Sequence, residues 1–130
     1  MSKESENFAI RQTTKERVPK LPFEAMKNAA LGKKYSLSIV FCGEKRMRTL
    51  NHTHRRIDKP TDILSFPLDE ESGEIFISIK NSRKMMRDFG RELDNFIGFL
   101  FIHGLIHLKG FDHGSRMEAE EVKLRRRFKI

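Results

Sequence analysis

His103-Gly104-Leu105-Ile106-His107-Leu108-Lys109-Gly110-Phe111-Asp112-His113 is the stretch around which this chain has to be organised. It overlaps the end of the most apolar segment of the sequence, residues 92–108, whose apolar side chains recur nearly all round a helix. A helix without a polar face must run through the middle of a domain. Four residues advance a helix by about 400°, so His103 and His107 project from one face, one turn apart. Gly110 can take a positive φ, which ends the helix and turns the chain back. That turn brings His113 to a third corner of the same site. Three neutral imidazoles around one ion leave a fourth position open, as in catalytic zinc sites; a structural site is normally closed by a fourth protein ligand.

The spacing H-x-x-x-H-x-x-G-x-x-H is that of the metzincin metalloproteases, glycine included. The protease motif carries Glu directly after the first His as general base, and here that position is Gly104. The metal cage is kept while the peptide-hydrolysing base is gone. Core or capping histidines are the plain alternative for a lone His, but two at i, i+4 with a glycine and a third at protease spacing argue against it. His52 and His54 differ, since two residues apart on a helix they point about 200° away from each other, which suits a surface or packing role.

Outward from this motif, the whole 130-residue chain reads as one domain. Its 38% apolar content with eleven Phe is enough for one core. The single Cys42 excludes an internal disulfide framework and suits a reducing compartment. The start has no apolar run of the signal-peptide kind, and the longest apolar run, Phe99–Ile102, is far short of the roughly 20 residues of a membrane span. A cytoplasmic protein without membrane partners is expected. The net charge of +8 is uneven: residues 31–60 hold eight basic and two acidic side chains, and residues 61–80 one basic and five acidic. A basic field concentrates polyanions, so nucleic acid is the first partner to consider.

Periodicity predicts a polar N-terminal segment over 1–20, partly mobile or an edge strand, with a short strand at Phe8–Gln12. A helix follows near Phe23–Leu31, then a strand at Ser36–Cys42 with Leu37, Ile39 and Phe41 on one face, and a basic helix over Glu44–Arg55. Asp62–Phe66, stopped by Pro67, and Glu74–Ile79 pair as an antiparallel hairpin. A helix is expected over Asn81–Phe89, ending at Gly90. Ser115 with Glu118 reads as a capping box for the last helix. The predicted class is α+β: residues 21–130 form a single domain with a small mixed sheet of about four strands, and a central buried helix carries the metal motif in a zincin-like arrangement.

Residues 103–113 and a second block, Leu50-Asn51-x-x-x-Arg55-x-x-Asp58-Lys59-Pro60-Thr61-Asp62-Ile63-Leu64-Ser65-Phe66-Pro67, together resemble the YbeY family of bacterial endoribonucleases. Ile106 stands in a slot usually held by Leu, His54 where Tyr is common, and Gly73-Glu74 where Gly-Asp is usual. The resemblance implies a metal-dependent, single-strand-specific endoribonuclease acting in ribosomal RNA maturation, at the 16S rRNA 3′ end, and in ribosome quality control. It implies one Zn2+ per chain held by His103, His107 and His113, with Arg55 as the catalytic basic residue. Single-stranded RNA, ribosomal RNA, small-subunit proteins and an Era-type GTPase are the implied partners.

The chemistry agrees with that implication. Neutral ligands leave the full charge on zinc, which favours a phosphodiester anion over a neutral peptide. Arg55, always charged and planar, suits charge developing on phosphoryl oxygens. Lys45, Arg46, Arg48, Arg56 and Lys59 would position RNA through its phosphates. Asp112 either orients a ligand histidine or caps the last helix. Two rival readings remain: a metzincin-like metalloprotease taking its base from Glu74 or Asp112, and a non-catalytic zinc-containing ribosome-assembly factor.

Overall fold

The computed structural model describes residues 3–130. The chain runs β1 (Lys3–Ser5), β2 (Phe8–Gln12), α1 (Phe23–Leu31), β3 (Ser36–Phe41), α2 (Glu44–Arg55), β4 (Ile63–Asp69), β5 (Ser72–Ile77), α3 (Ile79–Met85), α4 (Leu93–Leu108) and α5 (Ser115–Phe128). A short 3-10 turn, Met86–Phe89, links α3 to the loop before α4. The class is α+β, with a mixed sheet in the order β1-β2-β3-β5-β4. The four longer strands are its body and the three-residue β1 is an edge beside β2.

Strand β3 is the hub, parallel to β2 on one side and to β5 on the other. Side chains alternate across a strand, so Leu37, Ile39 and Phe41 face one layer while Val40 and Cys42 face the other. The first layer is the main core, where α1, α4 and α5 cover the sheet with Phe23, Met26, Phe101, Leu105 and Leu124. The second is thinner: Met47 of α2 closes over Val40, Cys42, Leu64 and Phe76. Helix α4 is buried on most sides, with Phe96, Ile97, Phe101, Ile102 and Leu105 each at 0% exposure. The interior is the favourable place for a helix that has no polar face.

Several local expectations change in the fold. Pro67 does not stop β4, which continues to Asp69 with Pro67 opposite Gly73. β4 is the outer strand of the sheet, where a residue without an N–H leaves no ladder bond unmade. Ile79 leaves the strand pattern and opens α3, because the Ser78 hydroxyl accepts from the Asn81 amide and caps a helix there. The capping box at Ser115 and Glu118 does not form. Gly114, at φ 150°, occupies the cap, and Ser115 lies one residue inside the helix.

Candidate metal centre

The site is assembled where α4 ends. Helical geometry alone places His103 and His107 on adjacent turns, and their rings sit 4.6 Å apart between centroids. Gly110, at φ 106°, then reverses the chain, and the turn is tied back by Gly110 N–H to His107 O and Phe111 N–H to Ile106 O. His113 arrives with its ring 4.9 Å from His107 and 5.4 Å from His103. One nitrogen from each of the three rings falls within a 4.8 Å group.

The outer ring nitrogens determine what the inner ones present. His103 Nδ1 lies 2.9 Å from Glu121 Oε1, and His107 Nδ1 lies 3.2 Å from the Phe111 carbonyl oxygen. Both partners can only accept, so each Nδ1 carries the proton in the neutral ring. The two Nε2 atoms therefore face each other as bare lone pairs, 3.2 Å apart. Such an approach is repulsive until a cation sits between them. Two nitrogens at about 2.05 Å on a tetrahedral ion stand about 3.3 Å apart, so the donor set fits a divalent metal. Burial, and then the neighbouring His103 and His113, lowers the pKa of His107, which keeps that ring in its ligating form.

Glu121 is the group that inspection of the motif misses. It is 8% exposed, and on α5 it stands in the apolar stripe between Met117 and Leu124. A carboxylate at core spacing, unlike its exposed neighbour Glu118, was the available signal. Asp112 is exposed and bonds neither to His103 nor to the first turn of α5.

Gly104 faces away from the histidines into the sheet. A Cβ there would stand 2.7 Å from Ser65 Oγ and 3.1 and 3.2 Å from the δ-carbons of Ile63 and Ile75. This approach brings the start of β4 against α4. Asp62, just before β4, lies near His103. Burial raises the Asp62 pKa, against the pull of backbone amides, Thr61 and His103. Glu74 alternates with Ile75 and Ile77, so it belongs to the α2 layer and not to the face that packs on α4.

Helix α2 and the loop after it carry the basic residues. Lys45, Arg46, Arg55, Arg56 and Lys59 are exposed. Arg46 lies over the Phe76 ring, 5.7 Å from its centre. Arg48 is engaged by Asp58 through two bonds of 2.7 and 3.1 Å, and Asn51 donates to Lys59 O at 2.9 Å. Both interactions fasten the 56–60 loop to α2. Arg55 ends the helix, with Arg56 left-handed at φ 57° behind it. No hydrogen bond joins Arg55 to the three histidines among the described residues.

Among the described residues no helix is long and apolar enough to cross a membrane. The chain is 42% identical over 91 residues to an endoribonuclease YbeY of Acholeplasma laidlawii, covering 67% of this chain and 66% of that one. It is 34% identical over 130 residues to the endoribonuclease YbeY of Aquifex aeolicus, covering 92% and 87% of the two chains. The solution structure of TM1509 from Thermotoga maritima superposes with a TM-score of 0.62 at 26% identity, over 88% of this chain and 85% of that one. The family model described as Endoribonuclease YbeY matches residues 1–128, and with a histidine cluster that could hold one ion at the end of its buried helix, this chain belongs to the endoribonuclease YbeY family.

Proposed function

We propose that this protein is a metal-dependent endoribonuclease that cleaves single-stranded RNA, with ribosomal RNA as its substrate in the cytoplasm. The observation that carries the reading is the pair of bare Nε2 atoms of His103 and His107, 3.2 Å apart, with His113 closing the group. His103, His107 and His113 would hold one Zn2+ through neutral nitrogens. When bound, the ion supplies Lewis-acid chemistry at a phosphodiester. The protein's own part is to hold the imidazoles in one tautomer, through Glu121 and the Phe111 carbonyl, and to bring RNA to them.

Arg55 is the residue assigned to the phosphoryl oxygens, since it stays charged and presents a planar fork of donors. Lys45, Arg46, Arg56 and Lys59 would steer and position the strand through its phosphates, without sequence preference. Arg48 fits that role less well because Asp58 already occupies its guanidinium. Gly104 and Glu74 speak against a peptidase: the protease base is missing, and the nearest substitute on β5 belongs to the opposite layer of the sheet.

The test pairs elemental analysis with RNA turnover. Wild type should carry one ion and cut single-stranded RNA until a chelator is added, and His103→Ala or His107→Ala should abolish both properties. Arg55→Ala should keep metal and fold but lose cleavage. Stoichiometric metal in either histidine variant, or casein hydrolysis in place of RNA cleavage, would overturn the reading.

A further inference from the structure

A third ring lies on the face of α4 that bears the two histidines. Phe99 precedes His103 by four residues, so Phe99, His103 and His107 occupy successive turns of one stripe, each about 6 Å further along the axis. Helix α5 runs antiparallel beside it in matching register. Its Glu121 meets His103 and its Arg125, one turn on, lies over Phe99 with the guanidinium carbon 5.4 Å from the ring centre. Arg91, in the loop that enters α4, covers the same ring at 4.4 Å and donates to Asn95.

Among the described residues neither guanidinium forms an ion pair. Burial and the charge of Arg125 lower the pKa of Arg91, so two like charges are held together with no anion between them. Beside them Phe89 is 49% exposed, although its ring rests on Phe96 and Phe99 with centroids 5.0 and 5.7 Å away. An open groove of about 490 Å³ is lined by Phe89, Gly90, Arg91, Glu92 and Asn95.

We propose that Phe89, Arg91 and Arg125 form a nucleotide-binding subsite for RNA extending from the histidine cluster, with Phe89 stacking a base and the two guanidiniums taking a phosphate. The inference rests on the ribonuclease reading above. Aromatic stacking accepts any base, and planar guanidinium forks match phosphate oxygens. Glu92 repels phosphate and confines it to the arginine side of the groove. An acidic protein segment would satisfy the arginines equally well. The continuity of the stripe favours RNA, because Phe99 lies eight residues, about 12 Å along the axis, from His107, a distance that an extended strand covers in a few nucleotides.

The experiment measures binding by fluorescence anisotropy and turnover for Phe89→Ala and for the double variant Arg91→Gln/Arg125→Gln, with metal content checked in each. On a long single-stranded oligoribonucleotide, Phe89→Ala should weaken binding roughly tenfold. The double variant should weaken it too and make its salt slope shallower by about 0.7 for each phosphate it no longer neutralises. In turnover the loss should appear in KM rather than in kcat. A dinucleotide, too short to reach Phe89 from the histidines, should bind wild type and variants alike. Equal losses on both RNAs, or loss of metal, would mean that the variants act through the adjoining His103–Glu121 pair and would overturn the subsite. Unchanged affinity for the long RNA would also overturn it and turn the surface over to an acidic protein segment. A wild-type protein that binds the long RNA through these residues without cutting it would support the subsite and refute the proposed activity, so the two failures are distinct.

Discussion

Glu121 on α5 accepts a hydrogen bond of 2.9 Å from His103 Nδ1 on α4, which ties the last helix to the candidate metal centre. A carboxylate behind a ligand imidazole sets its tautomer and raises its basicity. Glu121→Ala should lower metal affinity by about 10- to 100-fold, measured by competition with a chromophoric chelator. Glu121→Gln keeps an oxygen acceptor and should lose less. Wild-type affinity in the alanine variant would show that the hydrogen bond is only structural.

Gly104 is required by packing rather than by room for substrate, because a Cβ would press on Ser65 Oγ and two isoleucine δ-carbons. Gly104→Ala should destabilise the fold by about 1–3 kcal/mol as an overpacked core position. Adding Ser65→Ala removes the closest of those atoms and should recover part of the loss. Thermal melting of the single and double variants decides this, and an unchanged Tm for Gly104→Ala would refute the close approach.

Burial raises the Asp62 pKa above the usual carboxylate range near pH 4. A group whose folded pKa is raised contributes stability below its unfolded pKa and loses it as pH rises through the folded value. The ionised form of Asp62 therefore weighs against the fold. Metal-free Asp62→Asn should melt above metal-free wild type at pH 7, with the gap closing toward pH 3.5. Parallel pH profiles for the two proteins would contradict this account.

Cys42 lies beneath α2 at 2% exposure, and burial pushes its thiol up to about 11. The thiolate is the reactive form, so the side chain should resist iodoacetamide at pH 8 and react once denaturant is added. Mass spectrometry of the alkylated protein reads the outcome. Rapid labelling of the folded chain would mean that the thin second layer of the core opens readily.

The elements that depend on neighbours within a few residues were legible in the chain itself. The buried helix, the His103–His107 pair and the Gly110 turn follow from a fixed 100° per residue and from the freedom of glycine at positive φ. The strand Phe8–Gln12 and the β4–β5 hairpin follow from alternation. Pro67, Ile79 and Ser115 depart from their local pattern for separate reasons. Pro67 lies in an outer strand that needs no N–H, the adjacent Ser78 caps a helix that begins at Ile79, and the adjacent Gly114 takes the cap in place of Ser115.

What Gly104, Glu121 and Phe99 each meet in the fold was out of reach for a stronger reason. Gly104 is defined by Ser65 on β4, Glu121 by His103 across the α4–α5 interface, and Phe99 by arginines from two other segments. Spacing along a helix gives the direction of a side chain but says nothing of what another element brings to meet it. Those meetings depend on how α5 and β4 dock on α4, which is set by the packing of the whole core.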